Sequence, residues 1–186
     1  MKSMMQIAAG FLILFFGGCA TQQPSKSVVY ERETAETYLN RGVANSEKGE
    51  YNRAIADYNK AIEINPKFAV AYLNRGFTYR KLGECDNAIS DYNKAIGINP
   101  RYAIAYNNRG YAYRTKGDYG RAISDYNKAI EINPGYAAAY YNRGVAYYHK
   151  GEYDRAREDI HKAQNLGYPV SPGFLKTLRE TSGRQK

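Results

Sequence analysis

The sequence predicts an all-α solenoid of four helix-turn-helix repeats, closed at the C-terminal end by a short capping helix. Two observations carry this. Gly42, Gly76, Gly110 and Gly144 recur every 34 residues, each four residues after Tyr38, Tyr72, Tyr106 or Tyr140 and sixteen before Tyr58, Tyr92, Tyr126 or Ile160. Within a unit the apolar residues form two stripes at helical spacing, Tyr72, Gly76 and Tyr79 on one and Ala88, Tyr92 and Ala95 on the other. A unit of this length cannot bury its apolar side alone and must stack on its neighbours.

Residues 1–18 read as an export signal. One charge, Lys2, precedes an apolar run from Ile7 to Gly18, too short to cross a bilayer as a helix but of the right length for a signal core. Phe16-Gly17-Gly18-Cys19 follows, and small residues before a Cys at this place resemble the lipobox of bacterial lipoproteins. The resemblance implies that Cys19 is acylated, palmitate included, and becomes the mature N-terminus. Ala20 rather than Asp after it implies the outer membrane of a Gram-negative cell, on the periplasmic side. The alternatives are an uncleaved anchor or an ordinary secretory signal. Residues 19–34, rich in Gln, Pro, Ser and Lys, read as the lipidated Cys and its tether. The dozen residues from Ala20 to about Glu31 reach at most ~40 Å fully extended, which keeps the repeats near the membrane.

The repeats are placed at 35–68, 69–102, 103–136 and 137–170, with the capping helix and tail at 171–186. Gly49, Gly83, Gly117 and Gly151 stop the first helix of each pair, and Pro66, Pro100 and Pro134 stop the second helix in three of them. Gly76 and its equivalents face Tyr92 and its equivalents, the missing side chain letting the two helices approach. In the fourth unit Ile160 replaces Tyr and Leu166-Gly167-Tyr168-Pro169 replaces Ile-Asn-Pro, while Phe174, Leu175 and Leu178 mark the cap. The in-register pattern Tyr-x-x-x-Gly-x-x-Tyr, Ala-x-x-x-Tyr-x-x-Ala and a terminal Pro resembles the tetratricopeptide repeat, although Arg41, Arg75, Arg109 and Arg143 stand where that family more often has Leu. These arginines keep step with Asp57, Asp91, Asp125 and Asp159, sixteen residues on, which predicts one ion pair per repeat, worth ~0–1 kcal/mol if exposed.

A net charge of +9 raises anionic partners, but Lys48, Lys116 and Lys150 sit before helix-ending glycines, where a cation meets the helix dipole, and nucleic acid is disfavoured. No catalytic site, metal site or cofactor is expected. His149 and His161 fall in different helices, Glu158 and Asp159 point to different sides of one helix, and Cys85, at the position of Tyr51, Tyr119 and Tyr153, reads as a small buried hydrophobe.

Binding has better support. Asn40, Asn74, Asn108 and Asn142 lie two residues after the packing Tyr and point away from the stripe buried within the repeat. By resemblance, first helices line the concave wall, and some long arrays of this family grip an extended peptide with Asn at the matching place. An amide offers donor and acceptor to any backbone, but it can equally bond the neighbouring repeat. Leu73, Phe77, Tyr111 and Tyr141 would supply apolar contact and Arg80 and Arg114 a basic edge, with Val70 and Ile104 flanking the ladder. The five-residue carboxylate clamp of chaperone-adaptor arrays is absent: only Asn74 matches. The expected function is a non-catalytic, membrane-anchored scaffold that binds a protein or peptide of the cell envelope in its groove. The alternatives are a self-associating module, making a homo-oligomer, or a basic cytosolic nucleic-acid-binding solenoid if the leader is not an export signal.

Overall fold

The computed structural model describes residues 34–183, so Cys19 and the tether lie outside the described residues. The described residues form helices throughout: α1 (Ala35–Glu47), α2 (Tyr51–Ile64), α3 (Ala69–Lys81), α4 (Cys85–Ile98), α5 (Ala103–Thr115), α6 (Tyr119–Ile132), α7 (Ala137–His149), α8 (Tyr153–Asn165) and α9 (Pro172–Gly183). Odd and even helices up to α8 pair within a repeat. Each even helix also packs on the next odd one, and α1, α3, α5 and α7 touch in succession as an inner layer. None of these helices is long and apolar enough to cross a membrane.

Two turn chemistries set the alternation. Each odd helix of a pair ends at a glycine in the left-handed region, Gly117 at φ 79° for example, a conformation a Cβ disfavours. The chain then folds back so that the Asp118 N–H donates to the Tyr113 carbonyl at 2.9 Å, closing the helix end. Helices α2, α4 and α6 stop differently, whereas α8 ends at Gly167, φ 85°, in the manner of the odd helices. Asn65, Asn99 and Asn133 are extended, as a residue before Pro must be, and each side-chain oxygen accepts from the backbone N–H two residues on at 3.1 Å. Thr34 caps α1 by accepting from the Thr37 N–H at 3.2 Å.

Packing follows from the glycine-ring pairs. Tyr58, Tyr92, Tyr126 and Ile160 are fully buried, each under the glycine of the partner helix, with Ala54, Ala61, Ala88, Ala95, Ala122 and Ala129 closing the seam. A Cβ built on Gly76 or Gly110 would stand 2.8 Å from the Tyr92 or Tyr126 ring. Helix α9 covers the open end: Leu178 is buried, and Phe174 and Leu175 pack with it against Ile160 and Tyr148.

Buried phenols make the fold sensitive to alkali. Burial pushes Tyr58 and Tyr92 from the ordinary 10.0 up to about 12, and Tyr126 is raised as well. Above pH 10 the unfolded chain releases protons that the native state holds, so stability is complete below that pH and falls as pH approaches 12. Each buried ring contributes a loss of about 1.4 kcal/mol per pH unit in this window. A late fraction of the tyrosinate absorbance, that of Tyr58, Tyr92 and Tyr126, is expected to rise in the same cooperative step in which helicity is lost. Smooth ionisation of all the tyrosines with helicity intact would contradict the assignment.

Candidate functional site

The recurring arginine does more than the sequence suggests. Arg75 Nε and Nη2 donate to both oxygens of Asp91 at 2.8 and 2.6 Å, and Arg109 and Arg143 do the same to Asp125 and Asp159. The third nitrogen, Nη1, donates to Asn59, Asn93 or Asn127 on the even helix of the preceding repeat, at 2.5–2.6 Å. Each guanidinium also lies over the packing Tyr four positions into its helix, Arg109 at 5.4 Å from the Tyr106 centroid. One side chain therefore holds its own repeat together and fastens it to the one before. The expected ion pair is present in each repeat, and in three of them it is largely buried, so the small value of an exposed pair does not apply. The Arg75, Arg109 and Arg143 side chains are only 19–20% exposed, and the hydrogen bonds to Asp91 and Asp125 raise Arg75 and Arg109 above the usual arginine range. Arg41, with no repeat before it among the described residues, is 49% exposed, and Asn45 supplies the extra donor to Asp57 at 2.8 Å.

The inner layer presents the residues the sequence singled out, but they divide into two sets. Asn40 is exposed, Asn74 and Asn108 are half-buried, and the side chains of Asn40 and Asn74 have no hydrogen-bond partner among the described residues. Phe77 and Tyr111 are half-buried beside them, and Val70 and Ile104 stand out at 37% and 46% exposure. Arg80 lies 4.8 Å from the Phe77 centroid and 4.6 Å from that of Tyr111, and Arg114 also lies 4.6 Å from the Tyr111 centroid. Beneath them, the buried Nε of Arg80 and Arg114 neighbour the buried hydroxyls of Tyr92 and Tyr126 without reaching hydrogen-bond geometry. The stacked cations thus rest on the same rings that fill the glycine seams.

Three residues belong to the second set. Leu73 is 8% exposed and packs in the core with Ala105 and Ala112, so it is a contact between repeats and not groove lining. Asn142 is 9% exposed and its amide donates to Asn107 Oδ1 at 3.0 Å, while Asn107 donates in turn to Asn108 Oδ1 at 3.4 Å. Here the amide bonds the neighbouring repeat. Tyr141 is covered by the chain's own end: Tyr168 stacks on it at 4.6 Å and Phe174 meets it edge-on at 6.3 Å. What stays open is the stretch along α3 and α5, from Val70 to Arg114.

Elsewhere most of the described charged side chains form surface ion pairs, Glu152 with Lys150 and Arg155 for example. His149 stacks on Tyr119 at 5.2 Å, His161 is exposed on α8, and Cys85 is half-buried at the start of α4 and not fully buried as expected. Among the described residues no group of His, Cys, Asp and Glu is placed to hold a metal ion.

Stacked antiparallel helix pairs with an inner wall of amides, rings and cations define a helical-repeat protein of the interaction type. The sequence matches the TPR repeat over residues 46–83, 78–117 and 110–151, and the tetratricopeptide repeat again over 137–167. The chain belongs to the tetratricopeptide repeat family, whose members are protein-interaction modules. Among solved structures it is similar to MamA (34% identity, TM-score 0.67, covering 71% of this chain and 77% of that one). It is also similar to a thermophilic TPR protein of Thermus thermophilus (28% identity, TM-score 0.64, 72% and 75% covered). The first TPR of Spaghetti, solved bound to an HSP90 peptide, is 28% identical with a TM-score of 0.61, covering 62% of this chain and 92% of that one. Comparison with curated protein sequences gave no match.

Proposed function

We propose that this TPR protein is a lipid-anchored scaffold of the bacterial cell envelope, held through Cys19 on the periplasmic face of the outer membrane, and that its inner wall takes an extended segment of another envelope protein. The observation that carries the reading is the open strip on α3 and α5. Asn74 has an unspent amide, Val70 and Ile104 offer apolar surface that a second chain would cover, and the half-buried Phe77 and Tyr111 carry the cations of Arg80 and Arg114. A similar fold is seen in the Spaghetti TPR that holds a peptide. The lipobox-like Phe16-Gly17-Gly18-Cys19 supports the anchor.

One experiment addresses both halves. The chain is expressed with a C-terminal tag, its membrane fraction is cross-linked, and captured proteins are compared among the wild type, Cys19→Ser, and Asn74→Ala with Asn108→Ala. The expected result is that Cys19→Ser leaves the membrane fraction, while the double Asn variant stays there, folded, but loses at least one partner. Asn142 is left unchanged because its amide is committed to Asn107. Membrane retention of Cys19→Ser would remove the lipid anchor from the reading. Identical capture by the double variant would move the binding surface off this strip.

A further inference from the structure

We propose that the inner wall selects an acidic segment, one that presents two carboxylates two residues apart to Arg80 and Arg114. This rests on the reading that the wall holds an extended chain, and it names the chemistry of that chain.

The first ground is the distribution of charge. Helices α3, α5 and α7 contain no Asp or Glu anywhere in their length, yet they carry Arg75, Arg80, Lys81, Arg109, Arg114, Arg143 and His149. The repeating carboxylates Asp91, Asp125 and Asp159 lie on the even helices and are taken up by Arg75, Arg109 and Arg143. Arg80 and Arg114 are left without a carboxylate among the described residues; their Nε atoms are buried beside the Tyr92 and Tyr126 hydroxyls, so a second chain would meet the Nη edge of each guanidinium.

The second ground is geometry. A guanidinium stacked on aromatic faces has its plane fixed, and its edge then accepts a carboxylate with two parallel hydrogen bonds. Arg80 is held between Phe77 and Tyr111, and Arg114 on Tyr111. Both guanidinium carbons are 4.6 Å from the Tyr111 centroid, so they are at most twice that distance apart. On an extended chain, side chains two residues apart share a face and are separated by about 7 Å. Val70 and Ile104 stand at the opposite ends of α3 and α5, about 15 Å along the axis from Arg80 and Arg114, so the acids themselves carry the contact. A nucleic acid fits less well: its backbone needs a longer run of cations, and at the next repeat the equivalent position is Tyr148.

The test uses the full chain in neutral detergent, with arginine Nε–Hε signals followed by NMR. It is titrated with an acetylated, C-terminally amidated peptide containing Asp-Ala-Asp between valines, and with the Asn-Ala-Asn version. The amidated end removes any contribution from a terminal carboxylate. The acidic peptide is expected to bind at least about tenfold more tightly, as two charge-assisted contacts allow. Its shifts should fall on Arg80 and Arg114 and spare Arg75 and Arg109. Arg80→Gln with Arg114→Gln should make the two peptides equal, and the corresponding double Lys variant should restore only part of the preference; helicity is checked for each. Equal affinities in the wild type, failure of both peptides to bind, a preference that survives the double Gln variant, or tighter binding of a single-stranded oligonucleotide would each overturn the proposal. Equal peptide affinities that fall together in Asn74→Ala with Asn108→Ala would leave the groove standing without its acid preference, so the two readings fail separately.

Discussion

Gly110→Leu lowers the unfolding free energy by about 3 kcal/mol, the upper part of the range for overpacked cores. The added side chain enters a space already occupied. A Cβ alone would sit 2.8 Å from Tyr126 Cε1, 3.0 Å from its Cδ1 and 3.1 Å from the Ala122 carbonyl oxygen. The ring cannot swing away, since Tyr126 is fully buried between Ala122, Ile123 and Ala146. The carbonyl is helix backbone. Urea unfolding monitored by helicity measures the loss, and Gly144→Leu provides the comparison. There the Ala156 carbonyl oxygen stands at the same 3.1 Å, but the side-chain neighbours are Ile160 Cδ1 and Cγ1 at 3.1 Å in place of a ring at 2.8 Å, so the loss should be smaller. Equal losses at the two positions would mean that the ring is not what fixes the helix separation.

Asp125→Ala is expected to cost about 3 kcal/mol, because removing one partner of a buried pair leaves the other charge uncompensated. Arg109 would keep only its bond to Asn93 at 2.6 Å and its stacking on Tyr106. Asp57→Ala should cost about 1 kcal/mol or less, since Arg41 is half exposed and water replaces the carboxylate. Adding Arg109→Leu to Asp125→Ala should recover most of the loss, as apolar replacements of buried pairs often do. The same denaturation series reads all three. A Leu variant that recovered nothing would show that the contact of Arg109 with the preceding repeat, and not its charge, carries the stability.

Much of this was legible in the residues. The 34-residue interval of Gly42, Gly76, Gly110 and Gly144 places eight helices, and the sixteen-residue offset from Arg75 to Asp91 finds a contact between two of them. Both follow from spacing within one helix pair. The partner Asn59, Asn93 and Asn127 were missed, although Asp-Tyr-Asn recurs intact in three repeats and changes to Asp-Ile-His in the last. That signal was present, but its meaning depends on how one repeat rotates against the next. The same rotation decides that Leu73 turns into the core while Phe77, one turn on, stays half open. Tyr141 illustrates a different limit: its cover comes from Tyr168 and Phe174, and no helical period predicts where the end of a chain returns.

The arginine bridge between repeats has a direction. Each unit reaches backwards, from its own odd helix to an Asn on the even helix of the unit before. A second copy of residues 69–102 spliced in after residue 102 would find Asn93 waiting for its Arg and would itself offer an Asn to the unit that follows. A copy joined after the fourth unit would meet His161 instead, beside a surface that α9 already occupies. An internal duplication would therefore keep every arginine bridge supplied with its Asn, whereas an addition beyond the fourth unit would not.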